Sequence, residues 1–305
     1  MNKTVRYISS AVFGIAVFLF WHLLYPHAMS FQEQNQLFLF TWDFFVERMS
    51  VSGGLADYIA EFFTQFSYIP FLGKVLTALL FVAFQLSVAY ASGRKEWYVL
   101  SFVAPVLLLV YMCDIYVMLC YLVALTISVL LCGMYRRCPG LIWASAASIL
   151  GYWLIGPAIF IFAIFVFARE RNWKSVTVLA LAVLAVVVSK FTYLQQYPAM
   201  QIIVAVAALI PALTDCLPKP KTMTRVVLGV VIVAGGVAGC FVNYQKDVAE
   251  LVSYDQMVRY EDWDGILKRA EKYQPDSELG SVSVNLALFM SGRGGELPRF
   301  KQFGT

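Results

Sequence analysis

The stretch IPFLGKVLTALLFVAFQLSVAY, residues 69–90, carries a single charge, Lys74, in 22 residues. An apolar segment of about 20 residues is long enough, as a helix, to cross the ~30 Å hydrocarbon core of a bilayer. In that environment the backbone satisfies its own polar groups only in a helix or a closed barrel. The run therefore predicts a transmembrane helix. Working outward, apolar runs recur from residue 7 to residue 244, over 7–25, 69–90, 98–112, 115–134, 141–155, 158–168, 175–189, 199–217 and 226–244. The expected fold is therefore an all-α polytopic bundle of about nine transmembrane helices. Several runs are short, which places the turns at Asp114 and Gly156-Pro157 below the membrane surface, in a cavity and away from lipid.

Composition agrees with this. Hydrophobic residues make up 60% of the chain and charged residues 14%, against roughly 25% charge in a soluble domain; the mean hydropathy is +0.71. Only the last 60 residues have ordinary soluble character, which divides the chain into a membrane domain, 1–245, and a polar tail, 246–305. The six cysteines, Cys113, Cys120, Cys132, Cys138, Cys216 and Cys240, lie in or beside apolar runs and form neither a disulfide framework nor a CxxC metal motif.

The net charge of +4 is explained by position and implies no nucleic-acid partner. Basic residues near helix ends orient a membrane protein with those residues in the cytoplasm. With the N-terminus inside, the cytoplasmic segments hold twelve: Lys3, Arg6, Arg94, Lys95, Arg136, Arg137, Arg169, Arg171, Lys174, Lys219, Lys221 and Arg225. The outer side holds Arg48 and Lys190, with Lys74 just inside a helix. Trp21, His22 and Tyr25 offer no small-residue cleavage site, so the first run reads as a retained helix, not a signal peptide. Nine helices then place the tail outside. One long helix over 141–168, broken at Pro157, would instead give eight spans and an inside tail. The basic flanks Arg136-Arg137 and Arg169, Arg171, Lys174 argue that both ends of that stretch are cytoplasmic.

The first outer loop, 26–68, carries Glu33, Asp43, Glu47, Asp57 and Glu61, five of the nine acidic residues before Lys246. On a helix, Gln32, Gln36, Asp43 and Glu47 fall within an arc of about 60° opposite Phe38, Leu39, Trp42, Phe45 and Val46. After Ser52-Gly53-Gly54, the same spacing sets Asp57, Glu61, Thr64, Gln65 and Tyr68 against Leu55, Ile59, Phe62, Phe63 and Phe66. Two interfacial helices joined by a glycine turn are expected, presenting carboxylates and amides to a common space.

Two readings of the loop stand side by side. In one, the stripes are solvated surface. In the other, they line a site at the membrane surface, where Glu33 or, second, Asp43 takes a proton from an acceptor hydroxyl or holds a divalent cation such as Mg or Mn. In that site His27, Asp57, Glu61 and Asp114 are candidate binding residues, and Arg48 and Lys190 would meet an anionic phosphate.

The tail patterns RYEDWDGILKRAEKYQP, 259–275, and NLALFMSGRGGEL, 285–297, are similar to tetratricopeptide-type repeats. About one and a half units fit, which suggests a fragment of a longer repeat array; an amphipathic hairpin on the membrane is the alternative. The stretch YPHAMSFQEQNQLFLFTWDFFVERMSVSGGLADYIAEFFTQF, 25–66, with YDQMVRYEDWDGILKRAEKY, 254–273, resembles an uncharacterised family of Bacteroides-type multi-pass membrane proteins. That resemblance implies no activity; a bacterial inner membrane is expected, and the charge pattern above sets the N-terminus cytoplasmic and the C-terminus periplasmic. In layout alone the membrane part is similar to GT-C glycosyltransferases. Carried over, Glu33 or Asp43 would activate an acceptor, and Arg48 or Lys190 would bind a lipid-phosphate-linked sugar. The adjacent acidic pair of many GT-C members is absent, and QEQ, 32–34, stands near its place. Such a transferase predicts a cavity lined by Glu33, Asp43 and Asp114. A non-enzymatic scaffold, with the outer repeats binding an envelope protein, predicts carboxylates that point apart.

Overall fold

The computed structural model describes residues 3–189, 199–210, 214, 215 and 217–299. Every element among them is helical. α1, Lys3–Leu19, runs through a π turn, Phe20–Leu24, into the first loop, 26–68, which holds α2, Ala28–Asn35, α3, Trp42–Met49, and α4, Gly54–Thr64. α5, Pro70–Ala91, leads through a 3₁₀ stretch, Lys95–Phe102, to α6, Val103–Tyr111. α7, Cys120–Arg137, α8, Leu141–Ile155, and α9, Ile159–Glu170, follow. Then come α10, Val176–Ser189, α11, Ala199–Ala208, and α12, Thr222–Asn243.

Among the described residues, five helical stretches are long and apolar enough to cross a membrane: Lys3–Leu24, Phe71–Ala91, Cys120–Arg137, Leu141–Glu170 and Thr222–Asn243. The expected count of about nine is not supported among them. Among the described residues α6, α10 and α11 rise by about 14–21 Å at 1.5 Å per residue, short of the hydrocarbon core. α12 has no buried residue, an arrangement that water would penalise and lipid would not. It is seated on α6 where Gly236 and Gly239 accept the side chains of Val106 and Val110, the close approach that small residues permit between membrane helices.

The Leu141–Glu170 stretch turns back on itself. Positions 143 and 162 would stand about 28 Å apart on a straight helix, yet the rings of Trp143 and Phe162 lie 5.8 Å apart. Tyr135 touches both, at 5.5 and 6.1 Å, and its hydroxyl donates to Glu170 Oε1 at 2.9 Å. The reversal is made at Gly156-Pro157, as expected from sequence. Its Ala158 carbonyl accepts from Ser128 Oγ at 2.7 Å, midway along α7. That bond ties the reversal to α7. An apolar cavity of about 250 Å³ remains beside its tip, bordered by Tyr121, Leu125, Pro157, Phe160 and Val204.

Both ends of the hairpin return to the basic end of the bundle. There Arg136 and Arg169 share Asp215, Arg94 donates to the Leu217 carbonyl at 2.5 Å, and Arg137 lies on the Tyr90 ring. The first loop caps the opposite end, where Trp153 on α8 receives it. Its carbonyl accepts from Gly53 N–H at 2.7 Å, and its indole N–H donates to the Met49 carbonyl at 2.7 Å.

The tail comprises α13, Lys246–Arg259, α14, Trp263–Lys272, and α15, Glu278–Met290. Asp262 and Ser277 cap α14 and α15 by accepting from Gly265 and Gly280 N–H. Tyr254, Ile266, Leu267, Ala270, Val284, Ala287 and Leu288 form a small separate core, while Val252 on α13 joins the main one.

Candidate functional site

The first loop departs from two continuous helices. α2 ends at Asn35, whose side-chain amide donates to the Phe31 carbonyl at 2.8 Å, and Gln36 is extended. Residues 36–40 stay outside any helix until Thr41 caps α3 through Phe44 N–H at 3.3 Å. The break places Phe38 among Phe40, Phe44, Tyr58 and Phe62, with centroids 5.1–6.2 Å apart. Each such ring pair adds about 0.5–1.5 kcal/mol beyond burial, enough to outweigh the few hydrogen bonds of one more helical turn. The single stripe from Gln32 to Glu47 does not form. Gln32 is 1% exposed and donates to the Val117 carbonyl at 2.8 Å, pinning α2 over the turn before α7.

The second stripe faces inward. Ala56, Ala60, Glu61 and Thr64 are the buried side of α4, and Glu61 is 6% exposed. Arg48 meets it in a fork, Nη2 to Oε1 at 2.8 Å and Nε to Oε2 at 2.9 Å. Burial pushes the Glu61 carboxyl above its ordinary value, and the guanidinium of Arg48 pulls it back. Arg48 is thereby committed to Glu61 and to the Phe44 ring, 4.8 Å from its Cζ, so it is not an isolated cation awaiting a phosphate. Asp57 meets the Cys120 thiol at the head of α7.

The proposed catalytic pair does not converge. Glu33 forms an ion pair with Arg259 of the tail, Oε2 to Nη1 at 2.5 Å. Asp43 is exposed in the first turn of α3, where a carboxylate favours the positive end of the helix dipole. Asp114 accepts Tyr116 N–H at 3.0 Å and so holds its own turn. No cavity is lined by Glu33, Asp43 and Asp114 together among those found in the described residues. Lys190 lies outside the described residues. For the expected Mg or Mn, no group of three His, Cys, Asp or Glu gathers as ligands among the described residues.

What the loop does meet is the tail. Beside Glu33–Arg259, the Tyr260 hydroxyl donates to the Tyr68 carbonyl at 3.0 Å, and the Nδ1–H of His27 donates to Oε1 of Gln256. Gln256, Arg259 and Tyr260 went unmarked in the sequence. Their only signal was the polar spacing of Asp255, Gln256 and Arg259 on α13, which reads equally well as solvated surface. A groove of about 570 Å³ opens along this seam between Gln34, Gln36, Gln65, Asp255 and the ion pair.

His27 makes the seam sensitive to acid. Burial lowers its pKa, Arg269 and Lys74 push the same way, and the hydrogen bond to Gln256 opposes them; Tyr25 and Tyr244 also border the site. The neutral ring is thus favoured in the folded state. Its contribution to stability is present above an unperturbed imidazole's value of about 6.5 and is lost as pH falls through the depressed value. Thermal melting of the protein in detergent should show an acid-induced loss that His27→Gln lacks; parallel pH profiles for the two proteins would disprove this role.

Neither among curated proteins nor among solved structures does the chain find a match. The profile of a family of unknown function, DUF6057, matches residues 2–305, and the chain belongs to that family.

Proposed function

We propose that this protein is a non-enzymatic scaffold of a bacterial inner membrane, with its basic end cytoplasmic and its loop and tail on the periplasmic side, where the tail binds an envelope protein. The observation that carries the reading is α15, which is apolar on two sides. Val284, Ala287 and Leu288 fill the tail's core, while Leu279, Val282, Leu286, Phe289 and Met290 form an exposed stripe about 100° wide. Phe289 is 77% exposed. In helical-repeat architectures such a face is covered by the next helix of the stack, and an amphipathic helix of a partner has the matching chemistry. The carboxylates support the same reading, because Glu33 docks the tail and Asp43 points to solvent.

A photo-crosslinker at Val282 or Phe289 should yield a discrete protein adduct in native membranes, which Leu286→Glu abolishes and which a label at Lys268 does not give. Labelling of lipid alone, or of nothing, would overturn the scaffold.

The groove beside Glu33 favours a second reading. Its amides and carboxylates suit the hydroxyls of a sugar, in keeping with GT-C-like transfer of a lipid-phosphate-linked sugar by Glu33. Under the scaffold, Glu33→Gln and Asp43→Asn leave the envelope glycolipids unchanged by mass spectrometry; loss of one glycolipid in either variant would favour the transferase.

A further inference from the structure

At the basic end, α1, α5, the 3₁₀ stretch after α5 and the end of α7 enclose a pocket of about 510 Å³. Lys3, Arg6, Lys95, Arg136 and Arg137 line it, and no carboxylate among the described residues does. Asp215, beside Gly93 at the rim, is already shared by Arg136 and Arg169. Lys3, Arg6, Lys95 and Arg137 form no ion pair among the described residues.

Basic residues at this end of a membrane protein need no ligand to explain them, since orientation alone selects for them. Two features go beyond orientation. The side chains border one concave space and are not splayed over a surface. The Nε of Arg6, moreover, is fully buried with no hydrogen-bond partner, a state that costs about 1–3 kcal/mol for an ordinary group and more for a charged one.

The floor of the pocket is rigid. Ser10 donates to Gln85 Oε1 at 2.6 Å, Gln85 donates to Ser101 Oγ at 2.6 Å, and the Tyr98 hydroxyl lies 2.6 Å from Ser10 Oγ. Tyr98 is thereby fixed beneath Arg6, whose Cζ stands 5.8 Å from the ring centroid. Arg137 is held as firmly, stacked 3.4 Å from the Tyr90 centroid and donating to the Tyr90 and Gly133 carbonyls at 3.2 and 3.1 Å.

We infer that this pocket binds a phosphate oxyanion carried by an anionic headgroup. Guanidinium groups match phosphate oxygens in geometry as well as charge, and basic pockets between membrane helices are where anionic lipid headgroups settle. The rim supports a lipid as the carrier. Tyr7, Leu86 and Tyr90 border the pocket and are exposed on the outer surfaces of α1 and α5, so the cations adjoin an apolar surface along which acyl chains would lie. A soluble phosphate compound offers the same oxyanion without the chains.

The test uses the full chain in detergent, with phosphatidylglycerol, phosphatidylcholine and inorganic phosphate as probes and native mass spectrometry as the readout. Wild type should retain phosphatidylglycerol over phosphatidylcholine. Arg6→Gln/Arg137→Gln should bind it about thirtyfold more weakly, while Arg171→Gln/Lys174→Gln, of equal charge but outside the pocket, should bind as wild type. Should the first pair fail to fold, Lys3→Gln/Lys95→Gln removes two other cations from the same pocket and carries the same expectation. Competition by inorganic phosphate in excess identifies a soluble phosphate compound as the carrier, and resistance to it identifies the lipid; both outcomes uphold the site. Equal losses in the pocket and control variants, or no preference for phosphatidylglycerol together with no phosphate binding, would overturn it.

Discussion

Gly54→Val is expected to disorder the first loop and to lower stability by more than about 3 kcal/mol. A Cβ at position 54 would stand 1.7 Å from the Arg48 carbonyl oxygen and 2.6 Å from its carbon. Both are backbone atoms, so relief requires α3 and α4 to separate. The turn has no slack for that. Val51 N–H donates to Arg48 O at 3.2 Å, Gly54 N–H to Val51 O at 3.1 Å, and Gly53 is left-handed with φ 93°. Separation would also part Arg48 from Glu61, and a buried carboxylate stripped of its partner costs about 3–5 kcal/mol. Thermal melting in detergent measures the loss. Gly235→Ala supplies the control, because no atom lies within 4 Å of its added Cβ and alanine favours a helix by about 1 kcal/mol. A Gly54→Val protein that melts with wild type would show that the turn does not organise the loop.

Gly156→Val should be comparably severe, for a different reason. Gly156 has φ 61° and ψ −150°, a region essentially reserved for glycine and worth about 1–3 kcal/mol in strain to other residues. It is also buried, so a branched side chain adds about 1–3 kcal/mol of overpacking. The tip would have to shift, breaking the bond from Ser128 to the Ala158 carbonyl and loosening Trp143 from Phe162. Ser128→Ala alone should cost only about 1 kcal/mol, which separates loss of that bond from loss of the reversal. Hydrogen exchange across α8 and α9 should rise in Gly156→Val and stay near wild type in Ser128→Ala. Unchanged protection in Gly156→Val would mean that the hairpin tolerates a straightened turn.

The candidate site shows how far local reading reaches. The glycine turn at 53–54, the crowding of acids in the loop, the Gly156-Pro157 reversal and the helical character of the tail were all legible, because each depends on residues within a turn or two of one another. The helical phase of the loop was not. Gln32 and Glu47 share a stripe only if residues 36–40 are helical, and the rings that draw Phe38 out of a helix include Tyr58 and Phe62, some twenty residues away. Nor could periodicity say that α4 would bury its carboxylate face, since that requires Arg48 to arrive from α3. Glu33 looked like a catalytic acid because its partner, Arg259, lies 226 residues further on.

By itself, then, the sequence determined that this is an all-helical chain rich in apolar segments, with most of its membrane-domain cations clustered away from an acid-rich first loop, because hydropathy and charge are properties of each segment alone. The tertiary structure decided how the loop's side chains are phased, which face of α4 is buried, and which charges pair with one another. Those outcomes depend on pairings between distant segments. A run of apolar residues has the same free energy of transfer whether it crosses or returns; the contacts of Ser128 and Tyr135 on α7 with α8 and α9 hold the return.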